Sequence, residues 1–219
     1  MKRVIITGAG SGLGKELALL YANHDYEVIL VGRSLQKLKD VQTEIGANAY
    51  TVVCDITNYH NVQHTIQSLL EKHQSIDMLI NNAGVGYFGP LETYSLEEMN
   101  TIIDTNVKGT IFMTQACLSF FKKQQKGTIL NIISTAGLKG KVNESVYVAS
   151  KFAVRGFTES LQKEYAESPL HITAVYMGGM NTPFWLNSHH ISDQSRLKNP
   201  AAVAQTIYNQ NDGRLEIII

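Results

Sequence analysis

The chain has 219 residues, of which 44% are hydrophobic and 17% are charged, the balance of an ordinary globular domain. Its 19 basic and 19 acidic side chains cancel, which argues against a nucleic-acid-binding protein because such proteins carry a basic excess. No stretch has the apolar length of a membrane span, and the first apolar run is too short for a signal peptide. We therefore expect one domain over 1–219, located in the cytoplasm, with no membrane or nucleic-acid partner.

The cysteines and histidines do not follow the spacing of a disulfide framework or of a metal site. Cys54 and Cys117 lie far apart and form no Cys-x-x-Cys pair, so we predict two buried thiols in a reducing compartment. His189 and His190 are adjacent, but no third ligand stands near them at a metal-binding spacing. We predict that both are polar loop residues and that the chain binds no metal.

Short apolar runs mark the predicted strands. They are rich in Val and Ile and most are bounded by Gly, Asn, Asp or Thr, as buried strands are. They predict seven strands, at 3–7, 27–31, 49–53, 78–80, 127–133, 171–176 and 215–219.

Segments with helical periodicity separate these strands, at 14–23, 35–45, 62–73, 96–123 and 146–167. Asn106 stands inside the fourth segment, and because Asn favours turns over helix interiors it indicates a break near 105–109. The alternation predicts an α/β fold with a doubly wound, seven-stranded parallel sheet and helices on both faces. The stretch 178–200 lacks periodicity, which predicts a short substrate loop around 183–199 that acts as a lid.

A glycine-rich turn follows the first predicted strand and leads into a helix. Its spacing is Gly-x-x-x-Gly-x-Gly, because Leu13 occupies the position of the third glycine in the more common pattern. Glycines permit close approach of the backbone, and a helix N-terminus offers free N–H groups to a pyrophosphate. We expect a dinucleotide to bind at this turn, whose residues are Gly8, Ser11, Gly12, Leu13 and Gly14. The alternative is a turn with a structural role only.

The second strand ends without the acidic residue that commonly binds the ribose of NAD. Arg33 and Ser34 stand there instead, and a guanidinium can bind the additional phosphate of NADP in a charge-assisted fork. Lys37, one helical turn later, adds to the positive field. We predict a preference for NADP(H), with NAD(H) as a possible cofactor; the alternative is that Arg33 is a solvated surface charge.

The third strand ends at Asp55 and Ile56, which we expect to lie beside the adenine. The carboxylate of Asp55 can accept a hydrogen bond from the adenine amino group, or it can cap the helix that follows. The two interpretations are compatible.

Tyr147 and Lys151 are four residues apart in a helical segment, so both side chains lie on one helix face. A tyrosine with a pKa of about 10 becomes a useful general acid or base when its pKa moves towards about 7, and a nearby ammonium group favours that change. Ser134 follows the fifth strand and can donate to a substrate oxygen. Tyr87 and Phe88 could line the same pocket or belong to the core.

Together these residues resemble the short-chain dehydrogenase/reductase family over 7–182. The glycine turn is similar to the glycine motif of that family, and 81–84 is similar to its Asn-Asn-Ala-Gly motif, which shapes the cofactor pocket through Asn82, Ala83 and Gly84. Four residues match its catalytic tetrad in order, Asn106, Ser134, Tyr147 and Lys151. One departure is Met177, which stands where the family often has the proline of a Pro-Gly-x-x-x-Thr motif, although Thr182 remains.

The resemblance implies a role for each residue of the tetrad. Tyr147 would exchange a proton with the substrate oxygen, and Ser134 would orient that oxygen. Lys151 would lower the pKa of the tyrosine and bind the nicotinamide ribose, while Asn106 would hold a water molecule that relays protons. Ile133 and Thr182 would line the nicotinamide.

The implied function is NADPH-dependent interconversion of a carbonyl and an alcohol on a Rossmann-type domain. The substrate would be a small molecule, and the chain would form a homodimer or homotetramer through the long helices that carry Asn106 and Lys151. The alternatives are an NAD-dependent dehydrogenase of the same family and a catalytically idle dinucleotide-binding regulator.

Overall fold

The structure, a computed structural model, describes residues 1–73, 75–186, 188, 190 and 193–219. His189, one of the two predicted loop histidines, lies outside the described residues.

Within these residues seven parallel strands form one sheet. They are β1 Lys2–Thr7, β2 Tyr26–Gly32, β3 Ala49–Val53, β4 Met78–Asn81, β5 Gly127–Ile132, β6 Leu170–Tyr176 and β7 Glu216–Ile218. Their order across the sheet is β3-β2-β1-β4-β5-β6-β7. The predicted doubly wound sheet is confirmed, and every predicted strand boundary lies within one residue of the observed one.

The helices alternate with the strands. They are α1 Gly12–Ala22, α2 Leu35–Ile45, α3 Tyr59–Lys72, α4 Leu96–Ile102, α5 Thr110–Lys123, α6 Ser145–Glu164 and α7 Pro200–Gln210. A π-helical segment, Ile103–Gly109, joins α4 to α5 and contains Asn106. The predicted break in the long helical segment is therefore confirmed, at the predicted position.

The two helical layers follow from the alternation of side chains along the strands. In β1, Val4 and Ile6 pack with α1, α2 and α7, whereas Ile5 packs with α3 and α5 on the other face. All three side chains are fully buried, and each contributes about 1.5–3 kcal/mol relative to an exposed position. Burial on both faces explains why the strands are nearly continuous runs of Val and Ile.

Helix α7 has no counterpart among the predicted helices. The helix starts at Asn199, whose side chain accepts a hydrogen bond from the N–H of Ala201, and Pro200 occupies its first turn. Asn and Pro favour loops as well as helix starts, so they were interpreted as part of the loop. The buried face of α7 is narrow, with Val203, Ala204 and Ile207, and gave a weak periodic signal.

The two ends of the segment predicted as a lid lie side by side. Met180 and Lys198 form an isolated parallel bridge. The N–H of Asn181 donates to the carbonyl of Lys198, and the N–H of Lys198 donates to the carbonyl of Gly179. The two stems of this segment, at 179–181 and at Lys198, are therefore joined by backbone hydrogen bonds.

Both cysteines are buried free thiols, as predicted. Burial raises the pKa of each of these thiols, which keeps them protonated and unreactive. In the described part of the chain no helix has the length and apolarity needed to cross a bilayer.

Candidate active site

A cleft of about 930 Å³ lies at the carboxyl ends of the central strands. Most of the predicted site residues line it: Gly8, Ser11, Gly12, Leu13, Arg33, Asp55, Ile56, Asn82, Ala83, Gly84, Ser134, Tyr147, Lys151 and Thr182. The structure thus brings together residues from seven separate parts of the sequence. Gly14, Ser34 and Asn106 were also predicted for the site, but they do not line the cleft.

The glycine turn is tight because its backbone packs against itself and against the loop after β4. Gly8 has a φ of +67°, and a Cβ atom there would lie 2.9 Å from the Cα of Ala83. A Cβ atom on Gly14 would collide with the carbonyl oxygen of Gly8 and lie 2.5 Å from the side-chain nitrogen of Asn82. Gly14 therefore allows the turn to close and is not among the residues that line the cleft, and its role in cofactor binding stays a prediction.

The start of α1 presents its backbone to the cleft. Ser11 is the N-cap residue but makes no side-chain capping bond, and the first turn of the helix holds no acidic side chain. The N–H groups of this turn and the positive end of the helix dipole are therefore available to an anion. Thr182 from the opposite wall packs close to Gly12, 3.1 Å from the position that a Cβ atom would take there.

Thr7 and Asn82 fasten the glycine turn to β4. The hydroxyl of Thr7 accepts hydrogen bonds of 3.0 Å from the N–H groups of Asn82 and Ala83. The side-chain amide of Asn82 donates back to the carbonyl of Thr7 at 2.9 Å. The buried hydroxyl of Thr7, for which no role was predicted, thus positions two residues of the cleft.

Arg33 and Lys37 are exposed side chains that line one end of the cleft, and among the described residues neither forms an ion pair. Ser34 caps α2 instead of facing the cleft, because its hydroxyl accepts a hydrogen bond from the N–H of Lys37. The binding of the cofactor by Ser34 stays a prediction.

Asp55 lines the same end of the cleft but does not cap the following helix. One of its carboxylate oxygens accepts hydrogen bonds from the backbone N–H and the hydroxyl of Thr57, at 3.0 and 2.8 Å. The N-cap residue of α3 is Asn58, whose side chain accepts from the N–H of Asn61. The capping interpretation of Asp55 is therefore wrong, since a turn of three residues separates it from the helix.

Three residues of the predicted tetrad converge at the other end of the cleft. Ser134 has a φ of +103°, a conformation that costs a non-glycine residue about 1–3 kcal/mol, and its hydroxyl accepts a hydrogen bond from the N–H of Ala136. Tyr147 lies in the first turn of α6, and the ammonium nitrogen of Lys151 is 5.7 Å from the centroid of its ring. Lys151 donates to the carbonyl of Ile132 at 3.1 Å.

Asn106 is buried next to this group, and its side-chain amide makes three hydrogen bonds. Its amide nitrogen donates to the carbonyl of Val85 and to the hydroxyl of Ser150, and its oxygen accepts from the N–H of Val85. Gly84 separates it from Lys151: a Cβ atom there would lie 3.3 Å from the amide oxygen and 3.6 Å from the ammonium nitrogen. The π-helical segment thus brings an amide oxygen close to Lys151.

Ile133 is placed differently from the expectation. Its side chain is fully buried and packs with Val154, Ala174 and Tyr176. Ile132 lines the cleft instead. The two side chains differ because successive residues at the end of a strand point to opposite faces, so Ile132 faces the cleft and Ile133 faces the core.

Burial dominates the protonation of Tyr147 and Lys151. It raises the pKa of the Tyr147 phenol, the hydroxyl of Ser134 lowers that pKa, and the nearby carboxylate of Glu144 raises it further. Burial also lowers the pKa of Lys151 from 10.5 to about 8. The protein groups around Tyr147 therefore do not produce the lowered phenol pKa that was expected from Lys151.

The buried ammonium group predicts a measurable effect on stability. We expect Lys151→Met to raise the free energy of unfolding at neutral pH by on the order of 2 kcal/mol, because the native state no longer has to bury a charge. The unfolded chain holds the lysine proton up to its ordinary pKa of 10.5, whereas the native state releases it near 8, so wild-type stability rises across this window. The advantage of the variant is therefore largest below the window and vanishes above it.

Urea denaturation of both proteins below and above this window measures the difference. Equal stabilities at neutral pH, or an advantage that persists at high pH, would show that the ammonium group is not buried at a cost.

Aromatic side chains form the wall of the cleft beside Tyr147. The ring of Phe88 lies 5.5 Å from the Tyr147 ring, and that of Phe184 lies 5.9 Å from it. Trp185 and His190 stack on Phe88 at 5.1 and 4.8 Å. Tyr87 and Phe88 line the cleft, so the pocket interpretation of this pair holds.

Sequence reasoning missed Phe184, Trp185 and Glu144. Two consecutive aromatic residues directly after the Thr182-Pro183 pair were an available signal, since large apolar side chains in a polar loop need a surface to pack against. Glu144 stands three residues before Tyr147, and its carboxylate accepts a hydrogen bond from His190 at 2.9 Å. No periodic pattern points to a buried carboxylate in that position.

The comparisons with known proteins agree with this geometry. A family model described as short chain dehydrogenase matches residues 2–191. The sepiapterin reductase of Chlorobaculum tepidum is 36% identical over 196 residues, which cover 84% of this chain and 80% of that protein. The solved structure of ElxO with NADP bound is 30% identical, covers 99% of this chain and 97% of ElxO, and superposes with a TM-score of 0.89.

A second solved structure contains NADH, whereas ElxO contains NADP. The 3-ketoacyl-(acyl-carrier-protein) reductase of Brucella melitensis, complexed with NADH, is 28% identical and superposes with a TM-score of 0.90. It covers 99% of this chain, which in turn covers 96% of that structure. These matches extend over nearly the whole sheet and include the cleft, and the chain therefore belongs to the short-chain dehydrogenase family and is an oxidoreductase.

Proposed function

We propose that this oxidoreductase interconverts a carbonyl and an alcohol with NADP(H), and that Tyr147 is the general acid or base. The observation that carries the proposal is the convergence of Tyr147, Ser134 and Lys151 at one end of a cleft whose other end is the glycine turn and Arg33. A serine hydroxyl, a phenol and an ammonium group within one cleft are suited to hold a substrate oxygen and to move a proton to or from it.

The cleft fits a nicotinamide dinucleotide. The close approach of Gly8 to Ala83 leaves a smooth backbone surface, and the first turn of α1 offers N–H groups beside it. Arg33 and Lys37 provide positive charge at one end, and Thr182 closes the opposite wall. When bound there, the nicotinamide would supply or accept the hydride.

Each catalytic side chain has a separate task in this proposal. Tyr147 transfers a proton between its phenol oxygen and the substrate oxygen. Ser134 donates a hydrogen bond to the same oxygen, and its strained backbone fixes the direction of the hydroxyl. Lys151, fixed by the carbonyl of Ile132, places a positive charge beside the phenol, and Asn106 keeps an amide oxygen near that charge.

The proposed preference for NADPH depends on Arg33. We expect Arg33→Ala to weaken NADPH binding by about 10- to 100-fold, because a charge-assisted contact to the phosphate is lost, while NADH binding changes little. Titration of the protein with each cofactor, followed by the fluorescence of the reduced nicotinamide, measures both affinities. Lys39→Ala removes an exposed charge from α2 away from the cleft and serves as the matched control.

Unchanged NADPH affinity in the Arg33 variant would remove the reason for the NADP preference and favour the NAD-dependent alternative. The regulator alternative is tested separately, by following NADPH absorbance with ketones, aldehydes, quinones and sugars. Binding of NADPH without oxidation by any of these carbonyl classes would favour the regulator.

The proposed small-molecule substrate would enter between Tyr147 and the aromatic side chains beside it, Phe88, Phe184, Trp185 and His190.

We also propose a homodimer or homotetramer, as the family resemblance implies. Phe152, beside Lys151 on α6, is 42% exposed, which leaves a large apolar side chain on the face of a long helix.

A further inference from the structure

The substrate half of the cleft contains a charged group that the proposed mechanism does not use. Glu144 lies directly before α6 and lines the cleft, and its side chain is only 7% exposed. Although it is the N-cap residue of α6, its side chain makes no capping bond. Removing a carboxylate from water is expensive unless charged or hydrogen-bonding groups compensate it, so its position calls for a partner.

The protein compensates this carboxylate only in part. One oxygen accepts a hydrogen bond of 2.9 Å from His190. The other oxygen forms only a long ion pair, 3.9 Å from the ammonium nitrogen of Lys141, and it accepts no hydrogen bond from the described residues. One side of the carboxylate therefore remains available to a ligand.

The surroundings of Glu144 favour a cation. We call Phe88, Phe184, Trp185 and His190 the aromatic wall; all four line the cleft and are half-buried. The faces of aromatic rings attract ammonium groups, most strongly where water is excluded. A carboxylate next to such rings is the combination that recognises alkylammonium groups.

We propose that Glu144 and the aromatic wall bind an ammonium group of the substrate, so that the enzyme prefers carbonyl compounds carrying a protonated amine a few bonds from the carbonyl. This proposal depends on the proposed function of Tyr147 for the position of the carbonyl. Glu144 and Tyr147 are three residues apart at the start of α6, which places both groups on neighbouring positions of one helical turn.

The other charges near this half of the cleft agree with a cationic substrate. Glu98 also lines the cleft, and the carboxylates of Glu144 and Glu98 both raise the pKa of Tyr94. Lys141 contributes one positive charge on the same side, whereas Arg33 and Lys37 lie at the end proposed for the cofactor phosphate. An anionic substrate would meet repulsion here, which is a strong means of excluding a ligand.

Binding can be measured without turnover, because Trp185 is the only tryptophan of the chain and belongs to the aromatic wall. Its fluorescence is followed during titration with phenylpropylamine, phenylpropanol and phenylpropionate, which share one body and differ in the charge of the head group. We expect the amine to bind about tenfold or more tightly than the other two, and Glu144→Gln to remove this advantage.

Glu98→Gln is the matched control. It neutralises another cleft carboxylate, but one that already accepts hydrogen bonds from the N–H and hydroxyl of Ser95. We expect the preference for the amine to remain in this variant. Tighter binding of the alcohol or the carboxylate, or an unchanged preference for the amine in Glu144→Gln, would overturn the proposal.

Kinetics with three aryl ketones separate this proposal from the proposed function. The probes are β-dimethylaminopropiophenone, butyrophenone and β-benzoylpropionate, with NADPH as the reductant. We expect the ratio of kcat/KM for the amino ketone to that for butyrophenone to fall about tenfold in Glu144→Gln, through KM. Reduction of all three ketones with equal kcat/KM would overturn the ammonium site and leave the proposed function standing. Amine binding through Glu144 without reduction of any ketone would overturn the proposed function and leave the ammonium site standing.

Discussion

Tyr147→Phe should lower kcat/KM for carbonyl reduction by about three orders of magnitude, within the range typical of removing a general acid or base. The phenol is buried within hydrogen-bonding reach of the Ser134 hydroxyl, and the ammonium group of Lys151 lies beside its ring, so it is placed for the proposed proton transfer. The ring keeps its contacts with Phe88 and Phe184, because only the oxygen is removed. NADPH affinity is expected to stay within about threefold of the wild-type value, since most of the proposed cofactor contacts lie elsewhere.

Initial rates with a reducible ketone and a separate NADPH titration measure the two effects. Tyr87→Phe is the matched control, because Tyr87 lines the same cleft, is 38% exposed and makes no side-chain hydrogen bond to a described residue. We expect nearly wild-type rates in the control. If the Tyr147 variant also retained most of its turnover, the assigned proton transfer would have to be abandoned.

Gly14→Ala should destabilise the protein by about 3 kcal/mol and abolish tight NADPH binding. A methyl group at this position meets the carbonyl oxygen of Gly8 and the amide of Asn82, neither of which can move without opening the turn. Asn82 is fastened to Thr7 by hydrogen bonds in both directions, so the strain spreads to the loop after β4. For a chain of this size, that loss corresponds to a fall in Tm of roughly 6–12 °C.

Thermal unfolding followed by circular dichroism, together with NADPH titration, tests this expectation. Gly140→Ala is the control, because a Cβ atom at that exposed loop position meets no neighbouring atom within 4 Å. A Gly14 variant with wild-type Tm and cofactor affinity would mean that the turn is more adaptable than its packing indicates.

The fold was predictable because its signals are local. Strands buried on both faces read as runs of Val and Ile, and their boundaries follow directly from the residues that interrupt the runs. The arrangement of the candidate site was predictable for a different reason. Tyr147 and Lys151 owe their relation to one helical turn, and the glycine turn owes its shape to backbone conformation. Neither feature requires knowledge of distant parts of the chain.

The remaining features depend on contacts between distant segments. The burial that raises the pKa of Tyr147 comes in part from Phe88 and Phe184, which reach it from two other loops. Glu144 is bound by His190, which lies 46 residues further along the chain. Contacts of this kind leave no trace in residue spacing. Asp55 is different: its carboxylate accepts hydrogen bonds from Thr57, only two residues further along the chain, so this turn is a local feature that competed with the expected helix cap.

The bridge between Met180 and Lys198 has a consequence for how enzymes on this scaffold diversify. Because the two stems are joined by backbone hydrogen bonds, changes of length between them need not alter the seven strands. Each doubling of such a loop adds only about 0.6 kcal/mol of closure entropy, so extensions would destabilise the fold very little. Since Phe184 lies between the stems and packs beside Tyr147, such changes would alter the substrate pocket and the surroundings of the proposed general acid or base together.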